Sequence, residues 1–179
     1  VFDYDKDQLI CYDMTDYHSK GEERTKSYHI MISKQDGSIT NDIYIPFKTI
    51  NTPIVKDKDR FIANYSYQIR LSNGEVTLMD TSADTLYNYA SDGTLIPFVT
   101  RTPSVNTMNP EVFLYMGIHT DRYYFMEAVN NVFNFEKGIT LKFLLFQMKQ
   151  SHRMHLFIRK KKSHLKERLL RLRQAQDIL

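Results

Sequence analysis

Three glycine turns, each set between runs of β-branched and aromatic residues, constrain this chain more than any other feature. Residues 80–98 carry Leu86, Tyr87 and Tyr89 on one side of Asp92-Gly93, and the return strand begins at Leu95. Residues 28–47 repeat the recipe around Asp36-Gly37, and residues 65–79 around Asn73-Gly74. Asp-Gly and Asn-Gly supply the positive φ angles that a two-residue hairpin turn requires. A chain punctuated this way folds as a series of short antiparallel strands.

Further strands are predicted at residues 8–14, 28–33, 42–45, 60–67, 68–71 and 75–79, with a polar loop over 15–26. Pro46 and Pro53 bracket an exit loop, because proline cannot donate to a central ladder. Residues 100–110, with Pro103 and Pro110, read as another loop, and 111–117 as a short strand or a helical turn. Residues 122–129 form a convincing strand and 132–136 a weak one. Helical periodicity is almost absent, so the fold class is all-β, a sandwich or a propeller. The recurrence favours a partial β-propeller. A four-stranded blade takes about 40–45 residues, so the first 140 residues hold about three blades. Three blades do not close a ring, and an open stack leaves faces and edges unpaired. Together with a start at Val1, without Met or a signal segment, this is read as a piece of a longer product.

Charge divides the chain near Gly138. Residues 1–140 hold 13 Lys+Arg against 19 Asp+Glu, whereas residues 141–179 hold 11 against 2. Every Tyr, Gly and Pro falls in the first part. Two domains are therefore expected, a partial propeller over 1–138 and a basic helical tail over 139–179. From Lys149 the pattern suits a helix, with Leu165, Leu169 and Leu172 at i, i+4 and i+7. Three readings of this tail compete. A frame shift near codons 137–140 accounts for the abrupt loss of three residue types. A packing helix would lay its leucines over the exposed end of the stack. A basic helix, with Arg159 to Lys162, Lys166, Arg168, Arg171 and Arg173, would bind an anionic membrane or nucleic acid. No base-reading motif or aromatic platform supports nucleic acid.

Ile32-Ser33-Lys34-Gln35-Asp36-Gly37-Ser38-Ile39 followed by Ile43-Tyr44-Ile45-Pro46-Phe47 resembles a blade of the six-bladed β-propeller proteins common in Bacteroidales. So do Asp84-Thr85-Leu86-Tyr87 with Asp92-Gly93, and Thr120-Asp121-Arg122-Tyr123-Tyr124-Phe125. The resemblance covers roughly residues 8–138. Those proteins are TolB/NHL-like in shape, often exported as lipoproteins, and mostly without assigned function. The resemblance implies a periplasmic or outer-surface parent, held to a membrane only by a lipid anchor. It also implies a non-catalytic binding or scaffold module for a protein, peptide or glycan. Some six-bladed propellers of similar shape hold calcium at the channel, so a calcium-dependent lactonase-like hydrolase is the rival.

Catalysis has no visible carrier: there is no Gly-rich phosphate loop, no Gly-x-Ser-x-Gly elbow and no His-Glu-x-x-His motif. No catalytic residue, metal ligand or cofactor is assigned, and the ligand-binding residues are left unknown. A single cysteine excludes an internal disulfide, and Cys11 reads as a buried strand thiol. His152 and His155 share a helical face but lack further ligands. His18, His29 and His119 are scattered, and His29 reads as a partly buried strand residue. Asp80 and Asp84 could act as an acid/base pair or hold calcium, but at turn positions they are expected to accept backbone N–H groups. Asp121-Arg122 reads as a local ion pair. Of Tyr123 and Tyr124, one ring is expected in the core and the other outside.

Overall fold

The computed structural model describes residues 1–63, 68–72, 74–120, 122–148, 154–157 and 171–174. Three four-stranded antiparallel meanders follow one another along the chain. The first joins β1 (Phe2–Asp3), β2 (Gln8–Tyr12), β3 (His29–Ser33) and β4 (Ile39–Ile43). A separate hairpin of β5 (Ile54–Asp57) and β6 (Arg60–Ala63) follows. The second meander joins β7 (Ile69–Ser72), β8 (Glu75–Leu78), β9 (Thr85–Tyr89) and β10 (Leu95–Thr102). After a 3-10 turn at Val105–Thr107, the third joins β11 (Val112–His119), β12 (Tyr123–Asn134), β13 (Ile139–Met148) and β14 (Met154–Phe157). A last strand, β15 (Arg171–Gln174), returns to pair with β10. Each meander is one blade, and the all-β, three-blade expectation holds.

Alternation along the strands builds two cores. Ile10, Met31 and Ile43 of the first blade meet Ile69, Val76, Leu78 and Tyr89 of the second. On the other face of the second blade, Leu86, Phe98 and Val99 meet Leu114, Met116, Tyr124 and Met126 of the third. Leu86 and Tyr89 lie an odd number of positions apart on β9, so one strand serves both junctions. Each buried Leu, Ile, Phe or Met contributes about 1.5–3 kcal/mol, which makes these junctions the main adhesive of the stack.

The glycine turns lie where expected, with one change of type. Gly37, Gly74 and Gly93 have φ of 74°, 78° and 84°. The turn at residues 90–94 has three central residues, not two: Ala90 N–H donates to Thr94 O, and Gly93 N–H to Ala90 O. Only Gly93 there takes positive φ, which is the type I turn with a glycine bulge. Pro97 is tolerated inside β10 because the ladder to β9 shifts register between Pro97 and Val99, and β15 pairs only from Val99 onward.

Of the two readings of residues 111–117 the strand holds, as β11 over Val112–His119. Three expectations are corrected. The third strand lies at Ile39–Ile43, three residues earlier than the 42–45 predicted. The chain past Gly138 continues as β13 along β12, from Asn134↔Ile139 to Tyr123↔Met148, so the third blade spans the compositional break. Where the helix expected from Lys149 falls on described residues, at Met154–Phe157 and Arg171–Gln174, the chain is strand, and open sheet edges at β13 and β10 offer it backbone partners. His152, Arg159 to Lys162, Leu165, Lys166, Arg168 and Leu169 lie outside the described residues, as do Tyr65, Tyr67, Asn73 and Asp121.

Candidate ligand site at the long-connection end

Turns of a meander alternate between its two ends, and in the first two blades the ends differ. One end has the tight turns at residues 34–38 and 90–94 and the step from Ser72 to Glu75. The other carries residues 13–28, 44–53, 79–84 and 103–111, the long connections within and between blades. Side chains and backbone lace these together. Gly21 N–H donates to Ile50 O at 2.8 Å and Ile50 N–H to Glu22 O at 2.9 Å. Asn51 N–H donates to Ser82 Oγ at 2.8 Å, Thr81 Oγ1 donates to Asn51 O at 2.6 Å, and Asn51 Nδ2 donates to Asn106 Oδ1 at 2.6 Å. Lys20 Nζ lies 2.6 Å from Glu111 Oε1. A set of loops fixed by a rigid scaffold is where binding residues concentrate.

A small cleft opens among these connections, about 10 Å³ in volume, with Tyr12, Asp13, Asp16, Tyr28, Thr52 and Ser82 in its wall. Tyr12 closes β2 and donates its hydroxyl to Asp80 Oδ2 at 2.9 Å. Asp80 Oδ1 accepts Ser82 N–H at 2.8 Å, the short-range turn bond that Asp forms readily. Asp13 Oδ1 accepts Thr15 N–H at 2.8 Å, and Tyr28 donates its hydroxyl to Asp16 Oδ2 at 3.0 Å. Lys26 Nζ lies 2.7 Å from Asp13 Oδ2 and 3.8 Å from Asp16 Oδ2, and also reaches Thr15 Oγ1. Thr52 is buried at 3% exposure, and its Oγ1 has no hydrogen-bond partner among the described residues.

Electrostatics fix the protonation states. Burial, then the Asp80 carboxylate that accepts its proton, pushes the Tyr12 hydroxyl well above its ordinary value. Tyr28 moves the same way through burial and its bond to Asp16. Burial raises the Asp13 carboxyl, but the bonds from Lys26 and Thr15 outweigh it and hold Asp13 below its usual value. Lys26 is raised in turn, first by its bond to Asp13. At neutral pH the wall thus offers neutral phenols and an ionised Asp13. That set suits recognition of a cation.

An aromatic row leads inward from the surface. Arg24 lies 3.9 Å from the ring centroid of exposed Tyr44 and 4.3 Å from that of Phe47, and its Nη1 donates to Ile45 O at 2.5 Å. Phe47 stacks on Tyr28 at 5.9 Å, Tyr28 meets Tyr12 at 6.1 Å, and Tyr12 meets the edge of His29 at 4.9 Å.

The residues singled out in the sequence separate. Asp80 bonds across the first junction, whereas Asp84 Oδ1 accepts Val105 N–H at 2.7 Å and lies 3.9 Å from Arg101 Nε at the second. Both accept backbone N–H groups as expected, and they do not form one site. His29 is fully buried rather than partly, with Nε2 3.2 Å from Gln68 O. Tyr124 enters the second core against Phe98 at 4.7 Å, while Tyr123 is half-buried. Cys11 sits on β2, half-buried, and His18 is exposed. Among the described residues no three His, Cys, Asp or Glu side chains form a group that could hold a metal. Asp13, Asp16 and Thr52 escaped the sequence reading. Asp13 and Asp16 between Tyr12 and Tyr17 were the available signal, whereas nothing local marks Thr52.

The family model described as 6-bladed beta-propeller matches residues 1–176, across the compositional break at Gly138. No curated protein and no solved structure matches the chain significantly.

Proposed function

The chain belongs to the 6-bladed beta-propeller family, and on that premise we propose that it is a non-catalytic binding module that takes a protein, peptide or glycan ligand at its long-connection end. The observation that carries this reading is the asymmetry of the two ends. The laced connections 13–28, 44–53 and 79–84 enclose the cleft, while tight glycine turns close the opposite end of the first two blades. Fold alone names no ligand. The cleft is far below the ~300–1,000 Å³ of a small-molecule pocket, so it receives one group of a ligand that lies across the surface. The export implied by the resemblance goes with this proposal, and cell fractionation of the producing organism tests it.

A matched pair of variants tests the binding reading. Met14→Lys adds a positive charge in the wall of a cleft suited to a cation, and Gln35→Lys adds one in a tight turn at the opposite end. Peptide and glycan arrays probed with the full chain should give hits that Met14→Lys removes and Gln35→Lys keeps. Hits lost only with Gln35→Lys, or silence on both arrays, would overturn the reading.

A further inference from the structure

We infer that the outer edge of the first blade, along β4, takes an extended basic segment of a partner polypeptide as a fifth strand. This surface is the rim of the stack, separate from the long-connection end and independent of binding there.

The second blade carries the precedent. β4 and β10 are each the fourth strand of a meander. β10 does not end its sheet, because β15 adds antiparallel to it, from Val99↔Gln174 to Thr102↔Arg171. An outer blade edge of this protein therefore accepts a strand that is no part of its meander. The added strand is Arg171-Leu172-Arg173-Gln174, with two cations in four residues.

The first blade leaves the same edge open. Among the described residues no strand lies beyond β4, and Ile39, Thr40, Asn41 and Asp42 are all exposed. A row of unpaired N–H and C=O groups is a template for another chain, which edges commonly blunt with Lys or Pro. β4 contains neither, and residues 35–47 carry no Lys or Arg. Its register shift has a useful consequence. Asp42 pairs with Ile30 and Ile39 with Ile32, so Asp42 and Ile39 stand on one face of the sheet.

Charge selects the occupant. Asp42 forms no ion pair among the described residues, and Asp36 lies in the adjoining turn. Residues 1–43 hold nine Asp+Glu against five Lys+Arg. Arg24, over the Tyr44 ring past the end of β4, is tied to Ile45 O. The fitting strand thus sets a cation beside Asp42 and an apolar side chain beside Ile39. Main-chain bonds to β4 supply the attraction common to any strand, and this pair of side chains supplies the preference.

The test is an NMR titration of the full chain with three probes. The first is an N-acetylated, C-amidated peptide with the sequence of residues 171–176, Arg-Leu-Arg-Gln-Ala-Gln. The second replaces both arginines by glutamate. The third is spermine, a polycation with no backbone to pair. The basic peptide should shift the amides of residues 39–43, and the other two should not. Asp42→Lys should weaken the basic peptide at least about ten-fold, and the milder Asp42→Asn about three-fold. Glu136→Lys, the same charge change at an exposed turn of the third blade, should leave the affinity within about two-fold. Shifts confined to β10, equal binding of the acidic peptide, the same shifts with spermine, or wild-type affinity in Asp42→Lys would each overturn the inference. Sedimentation supplies the last outcome. A dimer of the chain alone that Asp42→Lys dissolves would overturn the partner and assign the edge to a second copy.

Discussion

The Tyr12 hydroxyl donates to Asp80 Oδ2 at 2.9 Å, tying β2 of the first blade to the end of β8 in the second across 68 positions of sequence. Asp80 is 5% exposed, and this bond satisfies the oxygen that Ser82 N–H leaves unpaired. Tyr12→Phe strips the donor and keeps the ring. The expected loss is about 2 kcal/mol, the cost of a buried carboxylate oxygen without a partner. Urea unfolding should show a lower midpoint with an unchanged slope.

Acid should loosen the same junction through His29. The ring is buried, and its Nε2 must carry the proton that it donates to Gln68 O. Burial lowers its pKa, and the Asp80 charge and the Gln68 bond oppose this only in part. The unfolded chain takes up a proton near pH 6.5 and the folded one resists, so stability is full above that pH and falls below it. The slope should approach about 1.4 kcal/mol per pH unit. His29→Gln should flatten the decline between about pH 6.5 and 5. The lowered carboxyls of Asp13 and Glu111 act further down, below their unfolded values. Urea midpoints across that range separate the two.

Two glycines should respond to alanine in different degrees. Gly93 has φ of 84°, and an added Cβ meets only the Tyr89 hydroxyl, at 3.6 Å. Gly93→Ala should cost about 1 kcal/mol of backbone strain, and Gly93→Val more. Gly117 lies where the β11–β12 register shifts, and a Cβ there would stand 2.8 Å from Phe125 O of the backbone. Gly117→Ala has to move β12 and should cost about 2 kcal/mol or more. Thermal unfolding of the two variants checks the order.

Arg101 is 3% exposed, donates Nε to Pro103 O at 3.3 Å and Nη1 to Val112 O, and lies beside Asp84. Burial, opposed by Asp84, pushes its pKa down to about 10. It pins the end of β10 to the start of β11. Arg101→Lys keeps the charge but loses the fork geometry, so a loss of about 2 kcal/mol is expected in urea unfolding.

Local chemistry made the blades legible and misjudged their extent. Asp36-Gly37 and Asp92-Gly93 declare turns because positive φ costs other residues energy, and that signal is complete within a few positions. β13 was lost for the opposite reason. Its run Leu141 to Met148 lies in the basic segment, and charge balance suggested a boundary where backbone pairing to β12 continues. The buried state of His29 depends on Gln68, and the cleft depends on separate connections bringing Asp13 and Thr52 into one lining. Such pairings come from the stacking of blades, which no local window contains. β1, two residues long, is held by its partner β2 and has no signal of its own.

The lacing at the long-connection end also shapes what evolution can alter there. Asn51, Thr81, Ser82 and Asn106 hold neighbouring blades together through one another, so change at any of them disturbs the stack. Met14, at the rim, is exposed and forms no part of that lacing. Drift in ligand preference can therefore proceed through a few rim positions while the lacing stays constant. Selection for a new partner and selection for a stable stack fall on different residues of the same surface.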